Sequence, residues 1–166
     1  MQPNEALSAS AQIAVTLAGF AGVVVAFRNR SVHEWSKIDK FRLRILLMDS
    51  GVPFVLSMLG MVLSSTAIDP SMVWRMCSLT TFVTVVLIAR GYSGRARGFT
   101  REEFKASGAR RWIFYTASFM GSASILLQLY NFISLQTFWP FFVAIATMLL
   151  LAMVQFILLV LAVEET

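Results

Sequence analysis

Residues 28–44 read RNRSVHEWSKIDKFRLR, and residues 90–111 read RGYSGRARGFTREEFKASGARR. These two stretches hold every Lys and Arg of the chain except Arg75. Everything around them is apolar. The 166 residues are 57% hydrophobic, with mean hydropathy +0.71, against about 45–50% apolar residues in a soluble domain. Several nearly uncharged stretches run for about 20 residues, the length that crosses roughly 30 Å of hydrocarbon. The sequence therefore predicts an all-α, polytopic membrane helix bundle, with residues 1–166 forming a single transmembrane domain.

Working outward from the basic stretches gives five spans. They run from about Leu7 to Phe27, Ile45 to Thr66, Pro70 to Ala89, Trp112 to Ser134 and Phe138 to Val163. The links alternate in character: 28–44 and 90–111 are long and basic, whereas Ala67–Asp69 and Leu135–Thr137 are short. Five crossings place both basic links on one side. Lys and Arg mark the cytoplasmic side of a membrane protein, so the N-terminus is expected outside and the C-terminus inside. The pI of about 10.0 and net charge of +5 follow from the same rule. No nucleic-acid partner is needed to account for them. Trp35, Tyr92, Trp112 and Tyr115 then fall near the inner interface, and Trp74, Tyr130 and Trp139 near the outer one, where amphipathic rings prefer to sit.

Helix punctuation agrees. Asp69-Pro70 reads as an N-cap followed by proline at the first helical position. Pro140 opens the fifth span, and Pro53 interrupts a backbone hydrogen bond inside the second. Ser31 with Glu34, and Thr100 with Glu103, have the spacing of capping boxes, the second stapled by Phe99 and Phe104. Trp35, Ile38, Phe41 and Ile45 recur at helical spacing, as expected of a surface helix running into the second span. Arg42 falls on the apolar side of that pattern.

No enzyme motif is present. There is no nucleophile elbow, no zinc-protease helix signature, no phosphate-binding glycine loop and no pair of intramembrane acids. Cys77 and His33 are the only residues of their kinds, so no metal site and no cofactor is expected. Cys77 reads as a small packing residue.

The polar residues within the spans are the functional candidates. Asp49 lies about one turn inside the second span, where a carboxylate is costly. It reads as an ion ligand or as one half of a structural pair with Arg90. Arg75, near the outer end of the third span, reads as a cation at a pore mouth or as a partner of Asp69. Thr80, Thr81 and Thr84 share one face of that span with Cys77 and form the best candidate polar path. Gln128, Asn131 and Gln155 are amides suited to bonds between helices. Small-residue spacings at Ala18 and Gly22, Gly60 and Ser64, and Ala117 and Gly121 predict close packing of the first, second and fourth helices. The fifth helix, rich in Leu and Phe, is expected to face lipid.

Five helices enclose little space. The expected function is therefore a homo-oligomer forming an ion or small-solute channel, not an enzyme, in a bacterial cytoplasmic (inner) membrane. The alternative is a non-catalytic membrane partner or scaffold. Its basic cytoplasmic segments would then bind anionic lipid or another protein.

Overall fold

The computed structural model describes residues 2–27, 32–96, 98 and 111–164. Among these residues there are five long helices: α1 (Pro3–Phe27), α2 (Lys37–Ser64), α3 (Pro70–Ala96), α4 (Arg111–Tyr130) and α5 (Phe138–Glu164). A 3-10 turn at Val32–Glu34 precedes α2, and a π-helical turn at Asn131–Leu135 continues α4. All five helices are long and apolar enough to cross a membrane. Large apolar side chains also point outward: Phe119 and Leu126 of α4 are 74% and 67% exposed, an arrangement water would penalise. The protein is an all-helical integral membrane protein.

Side-chain contacts fix how the helices run. Gly60 of α2 abuts Leu7 of α1 and Phe141 of α5. Trp74 of α3 packs on Phe138 and Phe141, with ring centroids 5.0 and 6.1 Å apart. At the opposite end Phe20 meets Phe156 at 5.8 Å, and Phe41 meets Tyr92 edge-on at 5.8 Å. Successive helices therefore run in alternating directions. The α2–α3 and α4–α5 links lie at one end, called here the link end. The Phe41–Tyr92 contact places the flanks of both basic segments together at the other, the basic end.

Local chemistry sets the boundaries. The 3-10 turn leads into α2, whose N-cap is Ser36; its hydroxyl accepts from the Asp39 N–H at 3.0 Å, and Ser31 of the expected capping box lies outside the described residues. Lys40 ties the turn to the helix by donating to the His33 carbonyl at 2.7 Å. From there α2 continues unbroken through the span, so the surface helix and the second span are one element. Asp69 opens α3 as expected: its carboxylate accepts from the Ser71 N–H at 2.8 Å and from the Ser71 hydroxyl. Those bonds hold the Asp69 carboxyl below the usual carboxylate range. α3 runs to Ala96, past the expected end at Ala89. The α4–α5 link closes on Gln136, which adopts the left-handed conformation at φ 50°. The box at Thr100 and Glu103, with Phe99 and Phe104, lies outside the described residues.

The core corrects the expectation for the fifth helix. α5 faces outward on one side only, where Leu150, Met153, Ile157 and Leu161 are exposed; its other side is central and contacts the other four helices. Phe141, Ala144, Ile145 and Ala152 are fully buried. A helix apolar all round can be either lipid-facing or interior, and composition alone does not separate the two. Here Ala144 and Ala152 let the other helices approach. α1 and α2 share the most extensive interface, and α4 is the least buried span.

A buried carboxylate and a polar seam

Asp49 belongs to the buried face of α2, where Ile45, Asp49, Pro53, Leu56 and Gly60 recur every three or four residues. This face turns toward α1 and α5, with which α2 shares far wider interfaces than with α3. Asp49 is 5% exposed, and among the described residues it has no ion pair and no hydrogen bond. The expected bridge to Arg90 is therefore not formed, because the two residues face different neighbours. Arg90 is exposed and lines a cleft of about 430 Å³ with Val86, Ala89, Ser93, Gly94 and Ile125.

Arg75 and Asp69 do not pair either. Asp69 is engaged by Ser71, whereas the Arg75 guanidinium lies over the Phe132 ring, 4.8 Å from its centroid. This cation–π contact supplies a partner that charge counting did not anticipate. The threonine stripe straddles a boundary. Thr81 is fully buried and donates to the Cys77 carbonyl at 2.8 Å, Thr80 is exposed and donates to the Met76 carbonyl at 3.0 Å, and Thr84 is half-buried. Asp49, Arg75 and the three threonines are thus not assembled along one path within the chain.

A second polar group lies between α3, α4 and α5. Asn131 is fully buried and donates to the Ser78 hydroxyl of α3 at 2.6 Å. The same amide donates to the Thr137 carbonyl at 3.0 Å and accepts from the Thr137 N–H at 3.0 Å. Gln128, one turn earlier, donates to the Pro140 carbonyl at 2.6 Å. Its Oε1 is buried with no donor among the described residues. Ser124 is buried on the same face of α4, so Ser124, Gln128 and Asn131 form one stripe opposite Ser78 and Thr81. The π-helical turn begins at Asn131 itself, and such turns often accompany functional or strained sites. The two amides were legible as interhelical donors. Ser78 and Ser124 were not, because a serine in a span carries no periodic signal of its own.

The small residues divide. At Gly60 a methyl group would come within 2.8 Å of Leu7 Cδ1 and 3.1 Å of Phe141 Cε1, so a larger residue would have to push one of them aside. Ser64 is half-buried near the same end, and its hydroxyl has no partner among the described residues. At Gly22 and Gly121 a methyl group would meet nothing within 4 Å. Ala18 and Ala117 are half-buried beside them. These two pairs do not close contacts inside the chain. Arg42, on the apolar side of the Trp35–Ile45 pattern, is 3% exposed and lies 3.6 Å from Asp39.

No family model, curated protein or solved structure matches the chain, so its function is read from these residues alone.

Proposed function

We propose that the protein is a non-catalytic, homo-oligomeric membrane protein that passes an ion or small solute. Its basic end would lie in the cytosol of a bacterial cell, with the N-terminus outside. The observation that supports this reading is Asp49. A carboxylate inside a membrane bundle is expensive, and one with neither an ion pair nor a hydrogen bond contributes nothing to packing that an apolar residue would not. Its presence is accounted for by a transient charged ligand. The outward small-residue face of α4, with Gly121 open and Ser118 and Ser122 exposed, suits a helix of a second copy. An oligomer would also supply the enclosed path that Asp49, Arg75 and the threonines do not form within one chain.

The test is flux through liposomes containing the purified protein. Wild-type protein gives flux above empty liposomes, and Asp49→Asn abolishes it. Equal flux from the two proteins would remove Asp49 from the path, and no wild-type flux would remove permeation altogether.

The cleft at Arg90 favours a second reading. It combines a cation with an apolar wall of Val86, Ala89 and Ile125 at the basic end, the combination that holds an anionic lipid headgroup beside its acyl chain. Under this reading the protein is a lipid-binding scaffold. Anionic lipid would then remain bound through purification, and Arg90→Gln would release it.

A further inference from the structure

Asp49 does not stand alone. Gln155 of α5 is 6% exposed and likewise has no hydrogen bond among the described residues. The contact of Gly60 with Phe141 sets the register of antiparallel α2 and α5. Counting along both helices from that contact, which is made by the tip of the Phe141 ring, brings Asp49 to within about one turn of Ala152, which is fully buried. Gln155 follows one turn closer to the basic end, about 4.5 Å along the axis at 1.5 Å per residue.

The lean of the side chains narrows that gap. Each helical side chain tilts toward the N-terminus of its own helix. α2 starts at the basic end and α5 at the link end, so the Asp49 and Gln155 side chains lean toward each other's level. Ala152 adds almost no bulk between them.

A third oxygen comes from the backbone. Pro53 has no N–H to give the carbonyl four residues back, and that carbonyl belongs to Asp49. Pro53 is itself fully buried, so the carbonyl lies on the buried face of α2. One carboxylate, one side-chain amide and one peptide carbonyl are hard oxygen donors carrying a single negative charge. Among the described residues no cluster of three His, Cys, Asp or Glu exists to hold a more highly charged metal.

We propose that Asp49, its own carbonyl and Gln155 form a binding site for a monovalent cation between α2 and α5. The site balances one negative charge with one positive charge. It adds two neutral oxygens to the carboxylate and leaves the other coordination positions of the ion to water. This deepens the permeation reading and rests on it for its purpose, although binding itself needs no flux.

The experiment is thermal unfolding of the purified protein in neutral detergent. Sodium chloride or potassium chloride is titrated against choline chloride at matched ionic strength. A ligand that binds only the folded state raises the midpoint with saturation. Wild-type protein is expected to show a saturable rise with one of the small cations and none with choline. Asp49→Asn, which keeps the shape, loses that rise. Gln155→Leu weakens the apparent affinity about tenfold, equivalent to about 1.4 kcal/mol. Identical curves in all three salts would overturn the site, and so would a cation-dependent rise that survives in Asp49→Asn. Should Asp49→Asn fail to fold, Gln155→Leu carries the test, and an unchanged titration in it overturns the assignment. Binding without flux in liposomes removes permeation and leaves the site. Flux without binding does the reverse.

Discussion

Replacing Gly60 by alanine sets two effects of known sign against each other. Alanine in a helix is favoured over glycine by about 1 kcal/mol. The added methyl would lie 2.8 Å from Leu7 Cδ1 and 3.1 Å from Phe141 Cε1, where relaxed carbon contacts need about 3.5–4.0 Å. Leu7 is the end of a flexible chain and Phe141 a rigid ring, but both are fully buried. Neither can move aside without disturbing the junction of α1, α2 and α5. Overpacking of this kind costs about 1–3 kcal/mol. The net expectation is a loss of about 1 kcal/mol for alanine, and of more for valine. Gly51 is the internal control, since a methyl there meets nothing within 4 Å; Gly51→Ala should be neutral or stabilising. Unfolding by SDS in mixed micelles, followed by tryptophan fluorescence, gives both values. A Gly60→Ala protein as stable as Gly51→Ala would refute the close approach of the three helices.

Three further outcomes are expected. Asn131→Leu strands the Thr137 N–H and carbonyl and the Ser78 hydroxyl; it should cost about 1–3 kcal/mol in the same assay, with Asn131→Asp falling between it and wild type. Asp69 has a folded-state carboxyl pKa below its unfolded value, so its cap supports α3 above the ordinary carboxylate pKa and loses that support as pH falls through the depressed value. Amide exchange near Ser71 should accordingly quicken in acid, and Asp69→Ala should remove that acid sensitivity. Finally, in a Cys77→Ser background, cysteines at Lys40 and Ser93 should react with an impermeant thiol reagent from the same side of a vesicle. Labelling from opposite sides would break the shared basic end.

The span count and the helix starts at Pro70 and Phe138 were legible because they depend on composition and on proline, which act locally. The meeting of the basic flanks was legible because charge is excluded from lipid. The environment of α5 was not, since a helix that is apolar on every side carries no moment to say which side is covered. The ion pairs failed for a related reason. Asp49, Arg90 and Arg75 were matched by depth, yet pairing depends on azimuth, and azimuth is set by how α2 and α3 turn against their neighbours. Arg75 found a ring instead, and Asp49 turned inward. The role of Pro53 was half legible: the released carbonyl follows from its missing N–H, but the importance of that carbonyl depends on Asp49 being buried beside it.

The amides of α4 bear on the order of assembly. Gln128 and Asn131 make their bonds to Pro140 and Thr137 within the α4–α5 hairpin, and among the described residues only the Ser78 bond reaches outside it. α4 is the least apolar of the five spans and α5 the most. The hairpin can therefore enter the bilayer as a couple, the oily member carrying the reluctant one with its amides already sheltered. Docking onto α3 then remains as a later step, marked by a single serine latch.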